Sequence, residues 1–233
     1  MTSALDAQLA ELLKRCSENC AGRGSKVVSM SEDAARLELL WLQYLTTSQL
    51  TGTANCLLEG TRSAIREGVS CVALGLVRPA LNSLRLQIDL VLGWLYFKDH
   101  AVEWGRVQCT GDGFKMKTEL LKYISDSYDR FGARFGILRE CKTRTQDDPY
   151  RLLSAHIHGQ SQYVLPQVQV PSDIVASTVA QDEAVMLQRE CSEFLTDVLW
   201  SIYAERWSSL PSDLVGTLDK RFVSVAQRAA FYA

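Results

Sequence analysis

The sequence lacks most of the features that announce a function. Its 233 residues carry 25 Lys and Arg against 27 Asp and Glu, a net charge of −2, so neither sign is in excess. Overall electrostatics therefore predict neither nucleic-acid affinity nor membrane attraction, although a local basic face is compatible with the sum. There are five prolines, and four of them follow residue 148, which leaves the first half poor in breakers. No GxxxxGK[ST] or GxSxG motif occurs, and the GTRSAIREG stretch lacks the glycine spacing of a nucleotide fingerprint. No long uninterrupted apolar run exists either. The most apolar segment, 71–97, contains Arg78, Pro79, Asn82, Arg85, Gln87 and Asp89, so it reads as a buried helix and not a bilayer span.

The seven cysteines are odd in number and widely scattered. The N-terminal stretch MTSALDAQLAELLKRC is amphipathic and contains acids, unlike a charged start followed by an apolar run. Free thiols in a reducing, cytoplasmic setting are therefore expected. Cys16 and Cys20 are spaced by four with no second pair, and no other ligand set completes them, so no metal or other cofactor is expected.

What is present is a globular composition, 47% hydrophobic and 22% charged. Apolar residues recur at helical spacing, with no repeat or linker, which predicts an all-α fold: one helical domain over 1–233 with a long central helix. Leu5, Leu9, Leu12 and Leu13 mark a first helix, stopped near Cys20 by AGRGS. Ser31 is the expected N-cap of a second, and a third runs over 53–67, ended by Gly68. The segment 69–97 reads as the central helix, kinked or restarted at Pro79. Helices are also expected over 99–107, 114–128, 134–144 and 177–207, with a last one after Pro211. Alternation at Val164, Val168 and Val170 is compatible with a short β-hairpin over 162–170 or with a plain loop.

The sharpest local signal is TQDDPYRLLSAHIHGQ. Asp148 is a candidate N-cap, Pro149 suits the first helical position, and Gly159 can stop the helix, framing Pro149–His158. At about 100° per residue, with Arg151 at zero, Ser154 falls near roughly 300° and His158 near roughly 340°, so the three share a face. Leu152, Leu153 and His156 point away from it. A guanidinium can neutralise charge developing on a phosphate while an imidazole moves the proton, which suits phosphodiester cleavage. The bland alternative is a surface pair or a structural cluster. A second stripe, Arg78, Asn82, Arg85 and Asp89, follows offsets of four, three and four on the central helix. It is either an ion-paired helix-orienting device or one wall of a polar cleft.

RLLSAHIHG resembles the R-x4-6-H signature of HEPN proteins, as Arg151-x4-His156 and as Arg151-x6-His158. RLQID (Arg85 to Asp89) followed by YRLLSAHIHG also resembles uncharacterised bacterial helical proteins of phage-defence neighbourhoods. The resemblance is strongest over 76–159. It implies a metal-independent ribonuclease of a defence or toxin–antitoxin system, homodimeric or bound to a protein partner. RNA would be its substrate, Arg151 would hold the scissile phosphate, and His158 or His156 would do the acid–base work. Active members often carry a polar residue directly after the Arg, where this chain has Leu152. The alternative is a non-catalytic scaffold, inhibitor or sensor subunit of a defence complex.

Overall fold

The computed structural model describes residues 3–233, and among them every regular element is helical: the fold is all-α. The α-helices are α1 (Ala4–Asn19), α2 (Ser25–Ser48), α3 (Cys56–Ala73), α4 (Val77–Phe97), α5 (Ala101–Thr110), α6 (Lys117–Ser127), α7 (Phe131–Glu140), α8 (Pro149–His158), α9 (Thr178–Tyr203), α10 (Ser212–Asp219) and α11 (Val225–Tyr232). They form two compact units. The first takes the chain up to Ala35, Ser63–Leu86 and Asp148–Cys191; the second takes Arg36–Arg62, Gln87–Asp147 and Ser192–Ala233. No helix among the described residues is long and apolar enough to cross a membrane.

Several glycines act differently from the sequence expectation. AGRGS does not stop the first helix: a π-helical turn, Cys20–Gly24, carries α1 directly into α2. Gly24 is buried, and a Cβ there would stand 3.3 Å from Cys20 Sγ, so this glycine serves close packing. Ser31 is accordingly a buried residue inside α2 and not a cap. Gly68 likewise lies within α3, where a Cβ would come 3.3 Å from Leu84 Cδ1, marking a close approach of α3 to α4. The break falls instead at Gly75, whose φ of +83° suits glycine, and α4 starts afresh at Val77. Pro79 then sits in the first turn of α4, where its missing N–H leaves no helical bond unmade.

The hairpin reading of 162–170 is corrected. That segment holds a 3-10 turn, Gln162–Val164, and then irregular chain up to a second 3-10 turn, Pro171–Ile174. Three of its backbone polar groups find side-chain partners in place of a strand. The Val164 carbonyl accepts from Arg78, and the N–H groups of Gln169 and Val170 donate to the Asp173 carboxylate at 3.2 and 3.1 Å. Pro166 and Pro171 have no N–H to offer a ladder.

The second unit is closed around aromatic side chains: Trp41, Trp94, Phe97, Trp200 and Phe231 are fully buried. Beside them lies an ion network that no sequence motif announced. Asp197 pairs with Arg144 and, at 2.6 Å, with Arg221; Arg221 also reaches Glu193 at 3.2 Å. Thr143 donates to Glu193 through its backbone N–H (2.7 Å) and its hydroxyl (2.6 Å). Two guanidiniums thus meet two carboxylates, which is how charges become tolerable away from water.

Candidate functional site

Helix α8 is framed by local chemistry. Pro149 occupies its first position, and Gly159, with φ of +58°, ends it by donating its N–H to the Ala155 carbonyl. Asp148 stands at the N-cap position, but its side chain makes no capping bond there. Leu153 is fully buried and fixes which side of the helix packs inward.

The two helices that carry the stripes are tied together within the first unit, but through His156 and Tyr150 and not through the face of Arg151, Ser154 and His158. Arg78 Nη2 donates to the His156 carbonyl at 2.8 Å, and its Nη1 donates to the Val164 carbonyl at 3.1 Å. The His156 carbonyl belongs to the last turn of α8, where carbonyls lack helical partners and a nearby cation is favoured by the helix dipole. Seven residues along α4, Arg85 Nη2 donates to the Tyr150 hydroxyl at 2.8 Å, its guanidinium 4.9 Å from the Tyr150 ring centre. Arg78 near the start of α4 therefore holds the end of α8, and Arg85 holds its beginning, so the two helices run antiparallel. Asn82 is exposed between these two ties. Asp89 lies beyond the unit boundary, half-buried in the second unit, so the stripe is divided after Leu86.

The residues singled out on α8 take different surroundings. Arg151 and His158 are both exposed, and neither is hydrogen-bonded or ion-paired to another described side chain. Ser154 does not join them at the surface: its Oγ is buried and has no hydrogen-bond partner among the described residues. His156 turns to the packed side and is half-buried. Burial, aided by the Arg78 charge and opposed by Glu183, holds its imidazole below the ordinary histidine range. It is therefore neutral near pH 7, with one ring nitrogen donating and the other accepting.

His156 and Arg78 face a groove of about 530 Å³ that the sequence reading did not identify. Its other walls include Val77, Leu81 and Asn82 of α4, Ala180, Glu183, Ala184 and Leu187 of α9, Val168 of the irregular chain and Ile174 of the second 3-10 turn. The signal that could have found it is the group of apolar residues in 163–174. Tyr163, Leu165, Val168, Val170 and Ile174 are all exposed. Among the described residues, no group of three or more His, Cys, Asp or Glu side chains is placed to share a metal ion. No protein-family model, curated protein or solved structure matches the chain.

Proposed function

We propose that this protein is a HEPN-like, metal-independent ribonuclease of a bacterial defence or toxin–antitoxin system, working from the exposed face of α8. The observation that carries the reading is that Arg151 and His158 share one face of a helix held at both ends, with both side chains open to solvent and uncommitted. Arg151 binds the scissile phosphate. His158 takes the proton from the ribose 2′-hydroxyl, whose oxygen attacks phosphorus, or delivers one to the departing 5′-oxygen. The products are a 2′,3′-cyclic phosphate and a 5′-hydroxyl. One imidazole performs one of those transfers, so a second copy of the chain in a homodimer would supply the other. His156 is the poorer candidate, because it is half-buried and lies off the face that carries Arg151.

Incubating purified protein with RNA in EDTA tests this. Cleavage leaving 2′,3′-cyclic phosphate ends, reduced at least about 100-fold by Arg151→Ala, is the expected result. Absence of cleavage under every activating condition, or an Arg151→Ala variant as active as the wild type, would contradict it.

A second reading is favoured by specific observations. Arg78 and Arg85 both hold α8 in place, and Leu152 follows Arg151. A non-catalytic scaffold, inhibitor or sensor subunit would use the same contacts purely for structure. Stable co-purification with a partner whose activity it governs, together with inertness toward RNA, distinguishes that reading.

A further inference from the structure

We propose that the groove lined by α4, α9 and His156 binds an uncharged, mainly apolar small molecule carrying a hydrogen-bonding group such as a carbonyl or amide. The volume of about 530 Å³ is that of a small-molecule site. Ala180, Ala184 and Leu187 follow one another at helical spacing on a single face of α9, opposite Leu81 of α4. Two alanines on that face leave space that larger side chains would close. Val168 and Ile174 line the same space and remain 52% and 39% exposed, apolar surface that an occupant would take out of water.

The charges select a neutral occupant. Arg78 is set against two carboxylates of the lining, Glu183 and Asp173. Asp173 already accepts from the Gln169 and Val170 N–H groups and lies 4.0 Å from Arg15. A carboxylate would find two Arg78 nitrogens engaged by the His156 and Val164 carbonyls, with Glu183 lining the same groove. A cation would meet the Arg78 charge. What the groove does offer is the neutral His156 ring and the exposed Asn82 amide, neither hydrogen-bonded through its side chain to another described residue. Between them they supply donors and acceptors suited to a carbonyl or amide. Neither Arg151 nor His158 lines the groove, so this proposal and the ribonuclease reading can fail separately.

The test is a fluorescence titration with Nile red, an uncharged apolar dye bearing a ring carbonyl, alongside the anionic dye anilinonaphthalene sulfonate. Wild-type protein is compared with Ala180→Leu, which fills the groove, and with His156→Ala; far-UV circular dichroism checks the fold. Val168→Asp on the exposed wall replaces Ala180→Leu if the latter does not fold. Expected are saturable one-to-one Nile red binding, at least tenfold weaker binding in the groove-filling variant, a several-fold loss in His156→Ala, and at least tenfold weaker binding of the anionic dye. Nile red that fails to saturate, binding unchanged by Ala180→Leu and Val168→Asp, or tighter binding of the anionic dye would overturn the proposal. So would self-association that Ala180→Leu abolishes, since a second copy would then be the occupant.

Discussion

In the unit that contains α8, Arg78 and Arg85 reach backbone carbonyls and a tyrosine, and a groove is left open beside Arg78. In the other unit, Arg144 and Arg221 are shut in with Glu193 and Asp197, next to a fully buried aromatic core. Arg78 is half-buried and holds the end of one short helix through two backbone carbonyls, so removing it disturbs position more than it strands charge. In the closed network each charge depends on its partners, because water cannot replace them. The comparison teaches where this molecule should tolerate change: around the groove and on the outer face of α8, and not in the closed unit.

The largest effect is expected from Asp197→Ala, which leaves two guanidiniums facing one carboxylate in a dry interior. A cost of about 3–5 kcal/mol, read as a lowered urea midpoint, is expected. Arg151→Ala, on the exposed face of α8, should cost no more than about 0.5 kcal/mol. Equal costs for the two would break the comparison.

Next comes a pH effect in the closed unit. Glu38 is buried, and burial pushes its carboxyl up to about 8. The folded state therefore holds this proton more tightly than the unfolded chain. Its contribution is fully present below the unfolded carboxyl range and declines as pH rises toward 8, by at most about 1.4 kcal/mol per pH unit. Urea titrations between pH 5 and 8 should show stability falling, and Glu38→Gln should flatten that slope. A slope unchanged by Glu38→Gln would remove this element of the account.

A smaller effect is expected from Arg78→Ala, which removes two charge-assisted hydrogen bonds at the edge of the groove. About 1–3 kcal/mol is expected, with faster amide exchange confined to the last turn of α8 and the Gln162–Val164 turn. Exchange that rises across the whole unit would mean that the tie is not local.

The smallest effect has the opposite pH sign. The His156 imidazole lies below the ordinary histidine range, so its contribution is complete above the unfolded histidine value. It is lost as pH falls through the folded one. Melting temperature should therefore drop slightly more on acidification in the wild type than in His156→Gln.

What could be read from the sequence divides along the same physical line. Helix α8 was legible from Pro149 to Gly159 because its first-position proline and left-handed glycine act within a few residues of chain. The glycines at 22, 24 and 68 do not stop helices: Gly24 lies buried in the π-helical turn, and Gly68 serves a close approach to Leu84 on the next helix, which sequence spacing does not record. The helical face calculation separated His156 from Arg151 and His158 correctly, since it needs only the helical repeat. It did not separate Ser154, whose Oγ is buried. The network of Arg144, Glu193, Asp197 and Arg221 draws on three distant segments, and the four-residue spacing of Glu193 and Asp197 was its only local mark.

The most direct measurement compares the two histidines of the same helix in RNA cleavage under EDTA, with product ends analysed for 2′,3′-cyclic phosphate. His158→Ala is expected to lose cleavage while His156→Ala, on the groove side, retains it. Cleavage that survives His158→Ala, or is lost only in His156→Ala, would contradict the ribonuclease reading.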